Sequence, residues 1–279
     1  MTTSRATAHL AGVGEPGIVD TLLAAEVHAR LASGAVLVLD CGGGSGRYAV
    51  PLAVAGATVT VVDVSADALS TLRRRALEAA VAARITSVQG DVEDLANALA
   101  EVTASDAQTR SRVQPTSAGQ FDLVLAHGVL QAVDDAAATF AAMVAELAPG
   151  AALSVLVSNP VAAVLSRALA GDLAGAEREL ADLDRYDFGG AGVGERVDPE
   201  FVAALCAHHG LQIEQRHGIG VFGDLVPGQA LDEPGGREAL ARLESACARR
   251  SPFADIAASV HILARHDGAH RTGSDRDGT

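Results

Sequence analysis

Lysine is missing from this chain: every one of its 21 basic residues is arginine. A lysine base, nucleophile or Schiff-base amine is therefore excluded, whatever the chemistry. Tryptophan is absent as well, and aromatic residues make up only 3%, which leaves little surface for stacking nucleobases. The cysteines Cys41, Cys206 and Cys247 stand far apart, so neither a disulfide framework nor a zinc cluster is expected, and no metal site is assigned. No apolar run is long enough to cross a bilayer, and nothing after Met1-Thr2-Thr3-Ser4-Arg5 has the form of a signal-peptide core. These absences give the expectation of a reduced, cytoplasmic protein with no membrane partner. Positive charge is also scarce, with 35 acidic residues against 21 basic ones for a net −14. That balance argues against a broad, non-specific grip on nucleic acid.

What the chain does have is alternation. Apolar runs at 35–40, 57–62, 84–89, 120–126 and 151–157 read as strands, with helices near 46–55, 66–82, 93–101 and 133–147 between them. An opening helix is expected over 16–33, where Leu22, Leu23, Val27 and Leu31 recur at helical spacing. Continuous Val/Leu/Ala strands separated by amphipathic helices imply a doubly wound, mostly parallel sheet with helices on both faces. A helix at 198–209, a strand at 211–221, a helix at 235–249 and a strand at 258–265 complete a seven-stranded α/β fold. One domain is expected over 1–265. Residues 102–119 form a polar insertion expected to be disordered or a flap. Residues 158–197 carry helical pieces at Ser166–Leu169 and Ala174–Leu183 and then the run Gly189–Gly194, and are expected to act as a lid or substrate segment. The polar tail 266–279 is expected to be disordered.

The informative stretch is Val36-Leu37-Val38-Leu39-Asp40-Cys41-Gly42-Gly43-Gly44-Ser45-Gly46: a buried strand, an acid, then a glycine-rich turn into a helix. Glycines let a ligand lie against the backbone. The next strand closes on Asp63, an acid able to accept from two ribose hydroxyls. The pattern predicts an adenosine-containing cofactor. Two readings of the loop stay open on the residues alone. Gly44-Ser45-Gly46-Arg47-Tyr48-Ala49 is a degenerate dinucleotide fingerprint, with Asp63 about 20 residues on. A nicotinamide-dependent oxidoreductase is thus one reading, although no lysine exists to complete a Ser/Tyr/Lys hydride site.

The other reading comes from motif order. Asp40–Gly46, Asp63, Gln89-Gly90-Asp91-Val92-Glu93-Asp94-Leu95, Phe121–Leu130 and Leu147-Ala148-Pro149-Gly150 together resemble class I S-adenosylmethionine-dependent methyltransferases. The resemblance implies a Rossmann-like sheet with an antiparallel last strand. It implies S-adenosyl-L-methionine as cofactor, held by Asp40, Gly42, Gly43, Gly44, Asp63, Val64, Asp91, Val92, Glu93 and His127. Asp40 would receive the ammonium of the methionine moiety, Asp63 the ribose, and Asp91 the adenine amino group. Asp91 also reads as a helix N-cap, and Cys41 as a small apolar filler. His127 is the candidate catalytic residue, and the pair His208-His209 is the alternative base; no base is assigned.

Ala126–Gln131, Ser158-Asn159-Pro160, Gly218–Asp224 and Val260–Arg265 are similar to the bacterial tRNA carboxymethoxyuridine methyltransferase family, which esterifies a wobble-base carboxylate. On this resemblance the acceptor is tRNA. Against it, Asp20 stands where that family carries an arginine, and residues 158–256 hold 9 Arg against 16 Asp plus Glu, or 9 − 16 = −7. A small metabolite is therefore the alternative acceptor, and a cofactor-binding protein without catalysis is the alternative of another class.

Overall fold

The computed structural model describes residues 17–105, 120–185 and 197–266. The insertion at 102–119 lies outside them beyond Ser105, as do the Gly189–Gly194 run and the tail from 267. After helix α1 (Ile18–Leu31), strand and helix alternate as β1 (Leu37–Cys41), α2 (Ala49–Val54), β2 (Thr58–Asp63), α3 (Ala66–Glu78), β3 (Ile85–Gln89), α4 (Leu95–Ser105), β4 (Phe121–His127), α5 (Ala136–Ala145) and β5 (Leu147–Ser158). Helices α6 (Pro160–Leu169), α7 (Leu173–Arg185) and α8 (Pro199–His208) follow, then β6 (Leu211–Ile219), α9 (Gly228–Asp232), α10 (Gly236–Cys247) and β7 (Ser259–His266).

The strands form one seven-stranded sheet in the order β3-β2-β1-β4-β5-β7-β6. Six strands are parallel and the last is antiparallel, as expected. Leu39, Val59, Val61, Leu123, Val124 and Leu125 are fully buried, which is what a parallel sheet covered on both faces demands of its strands. β1 pairs with both β2 and β4, with Cys41 opposite Val62 on one side and Ala126 on the other. Successive strands run outward in opposite directions from β1 and β4. Open sheets of this kind bind ligands at that switch point, outside the carboxyl ends of the strands.

Local chemistry sets the helix limits. Ser65 caps α3 by accepting from the Ala68 N–H at 3.2 Å, and α3 buries Leu69, Leu72 and Ala76 along one face. The helix expected near 46–55 begins only at Ala49, because Gly42, Gly44 and Gly46 have φ of +68°, +51° and +76°. A left-handed residue cannot sit inside a right-handed helix. The fifth strand starts at Leu147 rather than 151, and the short helix α9 was not foreseen.

Among the described residues the chain divides into two compact units. One draws on 26–155, 202–215 and 263–266, the other on 17–25, 156–201 and 216–262. In the second, Asn159 caps α6 from its side-chain oxygen to the Val161 N–H at 3.1 Å and donates through Nδ2 to the Asp255 carbonyl at 2.8 Å. Its Glu244 carboxylate accepts from the Val221 and Phe222 N–H groups at 2.9 and 2.7 Å. His217 and His261 lie buried there with ring centroids 5.8 Å apart. Among the described residues no helix is long and apolar enough to cross a membrane.

Candidate functional site

The first unit gathers nearly every residue the sequence singled out, at the carboxyl ends of β1, β2, β3 and β4. Asp40 is the last but one residue of β1 and 1% exposed. Its Oδ2 is buried without a hydrogen-bond partner. Burial, reinforced by the charge of Asp63, pushes the Asp40 carboxyl up to about 7. A buried carboxylate with nothing to bind is costly, and such groups mark sites that wait for a ligand.

The glycine loop closes over this carboxylate. A Cβ on Gly43 would fall onto the Asp40 carboxylate and 2.9 Å from Val61. A Cβ on Gly42 would stand 2.9 Å from Val129, and one on Gly46 would meet Leu72. At Gly43 the missing side chain leaves the backbone directly above an unpartnered acid. Asp63 pins the loop from the neighbouring strand. Its Oδ2 accepts from the Gly44 N–H at 2.8 Å and its Oδ1 from the Ser65 N–H at 2.8 Å. Each carboxylate oxygen has capacity for a second donor, so these bonds orient Asp63 without exhausting it. Val64, next along, is 63% exposed, an apolar face left open beside the acid.

The turn after β3 is tied to this corner, because the Gly90 N–H donates to the Asp63 carbonyl at 3.2 Å and Gln89 Nε2 to the Val64 carbonyl at 3.4 Å. Asp91 caps the 3-10 turn Val92–Asp94 by accepting from the Glu93 N–H at 3.0 Å. The capping role weighed for Asp91 is therefore present. Val92 is buried. The side chain of Glu93 reaches the Asp134 and Asp135 N–H groups, each at 3.1 Å.

His127 ends β4. Its Nε2 lies 2.8 Å from Ser154 Oγ of β5, and its ring meets the edge of Tyr48 at 4.5 Å between centroids. Tyr48 in turn carries the Arg47 guanidinium at 5.1 Å. Neither Ser154 nor Tyr48 was anticipated. Signals existed for both: Ser154 is the lone hydroxyl in the apolar run 151–157, and Tyr48 is one of two tyrosines in the chain, placed directly behind the glycine run. His208 and His209 meet edge to face at 5.0 Å, and His209 packs on Phe140 of α5. Burial, with the neighbouring His208, lowers the pKa of His209. Burial, then Asp40 and Glu146, lifts the Cys41 thiol far above its ordinary range, so Cys41 is an inert filler. Among the described residues no group of three His, Cys, Asp or Glu can hold a metal ion.

A cavity of about 340 Å³ opens elsewhere in this unit, lined by residues 33–35 just before β1 and by Glu26, Arg30, Asp122 and Arg265. Its arginines are already engaged. Arg265 bonds Glu26, Glu214 and the Gly150 carbonyl, and Arg30 bonds Glu26 and the same carbonyl. This end of the strands holds the ion-pair network, and the other end holds the glycine loop and the unpartnered acid. The loop end is where a ligand belongs.

Residues 39–153 match the family described as a methyltransferase domain. That stretch runs from the middle of β1 into β5 and contains every residue that the sequence singled out for a cofactor. The protein carries a methyltransferase domain over these residues. Over 238 residues it is 26% identical to the tRNA 5-carboxymethoxyuridine methyltransferase of Escherichia coli K12, covering 82% of this chain and 79% of that one. Among solved structures it is similar to the plantazolicin methyltransferase BamL, crystallised with a triazolic desmethylPZN analog and SAH, with a TM-score of 0.50 at 14% identity over 89% of this chain and 83% of that one. It is also similar to magnesium protoporphyrin IX methyltransferase from Synechocystis PCC 6803, with a TM-score of 0.49 at 17% identity over 91% and 90%. The nicotinamide reading of the glycine loop gives way to the methyltransferase domain.

Proposed function

We propose that the protein transfers a methyl group from S-adenosylmethionine to a carboxylate oxygen, with the wobble carboxymethoxyuridine of tRNA as acceptor. The observation that carries the cofactor half is the buried, unpartnered Oδ2 of Asp40 beneath Gly43. An ammonium ion is the partner that such a carboxylate lacks. Asp63 accepts from the ribose hydroxyls while remaining held by Gly44 and Ser65. Val64 and Val92 give the adenine apolar faces, and Asp91 takes its amino group. Gly42, Gly43 and Gly44 let the ligand lie against the backbone, and His127, fixed by Ser154, borders the same corner.

The bound cofactor supplies an electrophilic methyl on a sulfonium. The protein's work is then alignment and exclusion of water. A carboxylate acceptor is already ionised near neutral pH and needs no base, which agrees with a site where His127 is engaged by Ser154. The acceptor half is supported by the name of the 26% identical relative, and a tRNA acceptor would act in the cytoplasm. In this proposal residues 1–265 work as one catalytic domain, and 158–197 contribute to choice of acceptor.

A second reading has its own observation. Residues 158–256 carry a net −7 and no lysine, a poor match to phosphate and a better one to a small metabolite. The test is transfer of labelled methyl from S-adenosylmethionine to bulk tRNA, compared with a small-molecule extract. Alkali-labile label in tRNA supports the ester on RNA, and label confined to the extract moves the proposal to a metabolite. Label in neither, with S-adenosylhomocysteine still bound, supports a protein that holds the cofactor without catalysis.

A further inference from the structure

Glu93 is placed to do more than line a cofactor. One oxygen, Oε1, accepts from two successive backbone N–H groups, those of Asp134 and Asp135. These partners lie 41 and 42 residues further along, in the segment joining β4 to α5. On the near side, Asp91 fixes the turn by accepting from the Glu93 N–H at 3.0 Å. On the far side, the Asp135 carboxylate caps α5 through the Ala138 N–H at 2.8 Å, and its carbonyl takes the Thr139 hydroxyl at 2.7 Å. Thr139 is buried, which anchors the far end in the core. A continuous run of hydrogen bonds thus leads from the turn after β3 to the first turn of α5, and the Glu93 side chain bridges the two segments.

We propose that Glu93 is a positioning residue that couples the adenine end of the cofactor site to the 128–135 segment, the loop following His127. This rests on the assignment of Asp91 and Val92 to the cofactor. A ligand seated on those residues narrows the motion of the Val92–Asp94 turn. Glu93, being part of that turn, passes the restriction to Asp134 and Asp135. No rearrangement is needed, because a ligand that orders one segment lowers the cost of ordering another bonded to it. The consequence is a sequence of events: the loop following His127, already bonded to Glu93, is held more tightly once the methyl donor is loaded.

The test is hydrogen–deuterium exchange of the full chain, with and without S-adenosylhomocysteine, on the wild type, Glu93→Gln and Glu93→Ala. In the wild type the ligand slows exchange in peptides covering 90–95 and also in those covering 129–136. Glu93→Gln keeps an acceptor oxygen of the right reach and retains both effects. Glu93→Ala retains the effect at 90–95 and loses roughly tenfold in protection at the 134 and 135 amides, the size of one charge-assisted hydrogen bond. Should the alanine variant lose its fold, Glu93→Met, of similar length and without an acceptor, replaces it. Full ligand protection of 129–136 in the alanine or methionine variant overturns the coupling. So does its loss in Glu93→Gln. Absence of protection at 90–95 in the wild type instead overturns the cofactor assignment on which the coupling stands.

Discussion

Replacing Asp40 by asparagine separates what the residue does for the fold from what it does for the ligand. In the ligand-free protein its carboxyl titrates at about 7, against an ordinary 3.8, because it is fully buried and near Asp63. The folded state therefore holds a proton that the unfolded chain has released between those two pH values. Stability contributed by this group is highest at low pH and falls as pH rises from about 4 to about 7. The gap of 7 − 3.8, or 3.2 units, corresponds to about 4 kcal/mol lost by pH 8. Asp40→Asn removes the titration. The variant should be more stable than the wild type at pH 8 by as much as about 4 kcal/mol, a rise in Tm of roughly 10 °C for a chain of this size. Near pH 4 the difference should shrink below about 1 kcal/mol.

Binding should move the other way. An ammonium ligand needs the ionised carboxylate, so the wild type should bind S-adenosylhomocysteine about tenfold more weakly at pH 6 than at pH 8 and release a proton on doing so. The asparagine variant should show no such pH dependence, and at pH 8 its affinity should be lower by about ten- to a hundredfold, the worth of a charge-assisted hydrogen bond. Calorimetric titration in buffers of different ionisation enthalpy reads the proton, and thermal unfolding between pH 4 and 8.5 reads the stability. Wild-type affinity and pH profile in the asparagine variant would remove Asp40 from the cofactor. An unchanged Tm at pH 8 would show that the carboxylate is not buried without a partner.

His261 has the opposite sign. Burial, then the neighbouring His217, lowers its pKa from 6.5 to about 3, so its contribution is lost as pH falls from about 6.5 towards 3. It offsets Asp40 over the same window; His261→Phe should flatten the acid side of the stability curve, and an unaltered acid midpoint would refute this. Gly43→Ala puts a methyl onto the Asp40 carboxylate and Val61, and should cost about 1–3 kcal/mol in stability and abolish stabilisation by S-adenosylhomocysteine; binding at wild-type affinity would place the ligand elsewhere. Asp63→Ala leaves the Gly44 and Ser65 N–H groups without their acceptor, at a cost of about 1–2 kcal/mol. It should also remove the stabilisation of about 3 kcal/mol that a ligand at a hundred times its Kd confers, and a retained shift in Tm would make the ribose assignment wrong. Burial alone would raise the Glu26 pKa, but Arg265 and Arg30 outweigh it and hold it below the usual range. Arg265→Met should therefore destabilise the protein by about 2 kcal/mol at pH 7, an effect that fades as pH falls through the carboxylate range, and equal destabilisation at pH 3 would contradict the ion-pair account.

The parts of this site that could be read from the chain are those written in consecutive residues. A strand, an acid and a glycine run are local, and so is the acid that closes the next strand. Each keeps its meaning because parallel pairing of β1 with β2 brings the two strand ends together. What could not be read depends on partners chosen by the sheet. Ser154 meets His127 only because β5 follows β4 in the strand order, which no spacing rule encodes. Glu93 reads as one more acid in Asp91-Val92-Glu93-Asp94, and its role becomes visible only with Asp134 and Asp135 opposite it. The late start of α2 was missed for a different reason. Glycine permits left-handed backbone without requiring it, so the sequence could announce a tight loop while leaving open where the helix resumes. The same freedom explains why the loop could be aligned with two cofactor motifs. A glycine states what may approach the backbone, and the residues beneath it state what the approaching group must carry. Here that residue is Asp40, and a buried anion without a partner asks for a cation, which the amino-acid end of S-adenosylmethionine has.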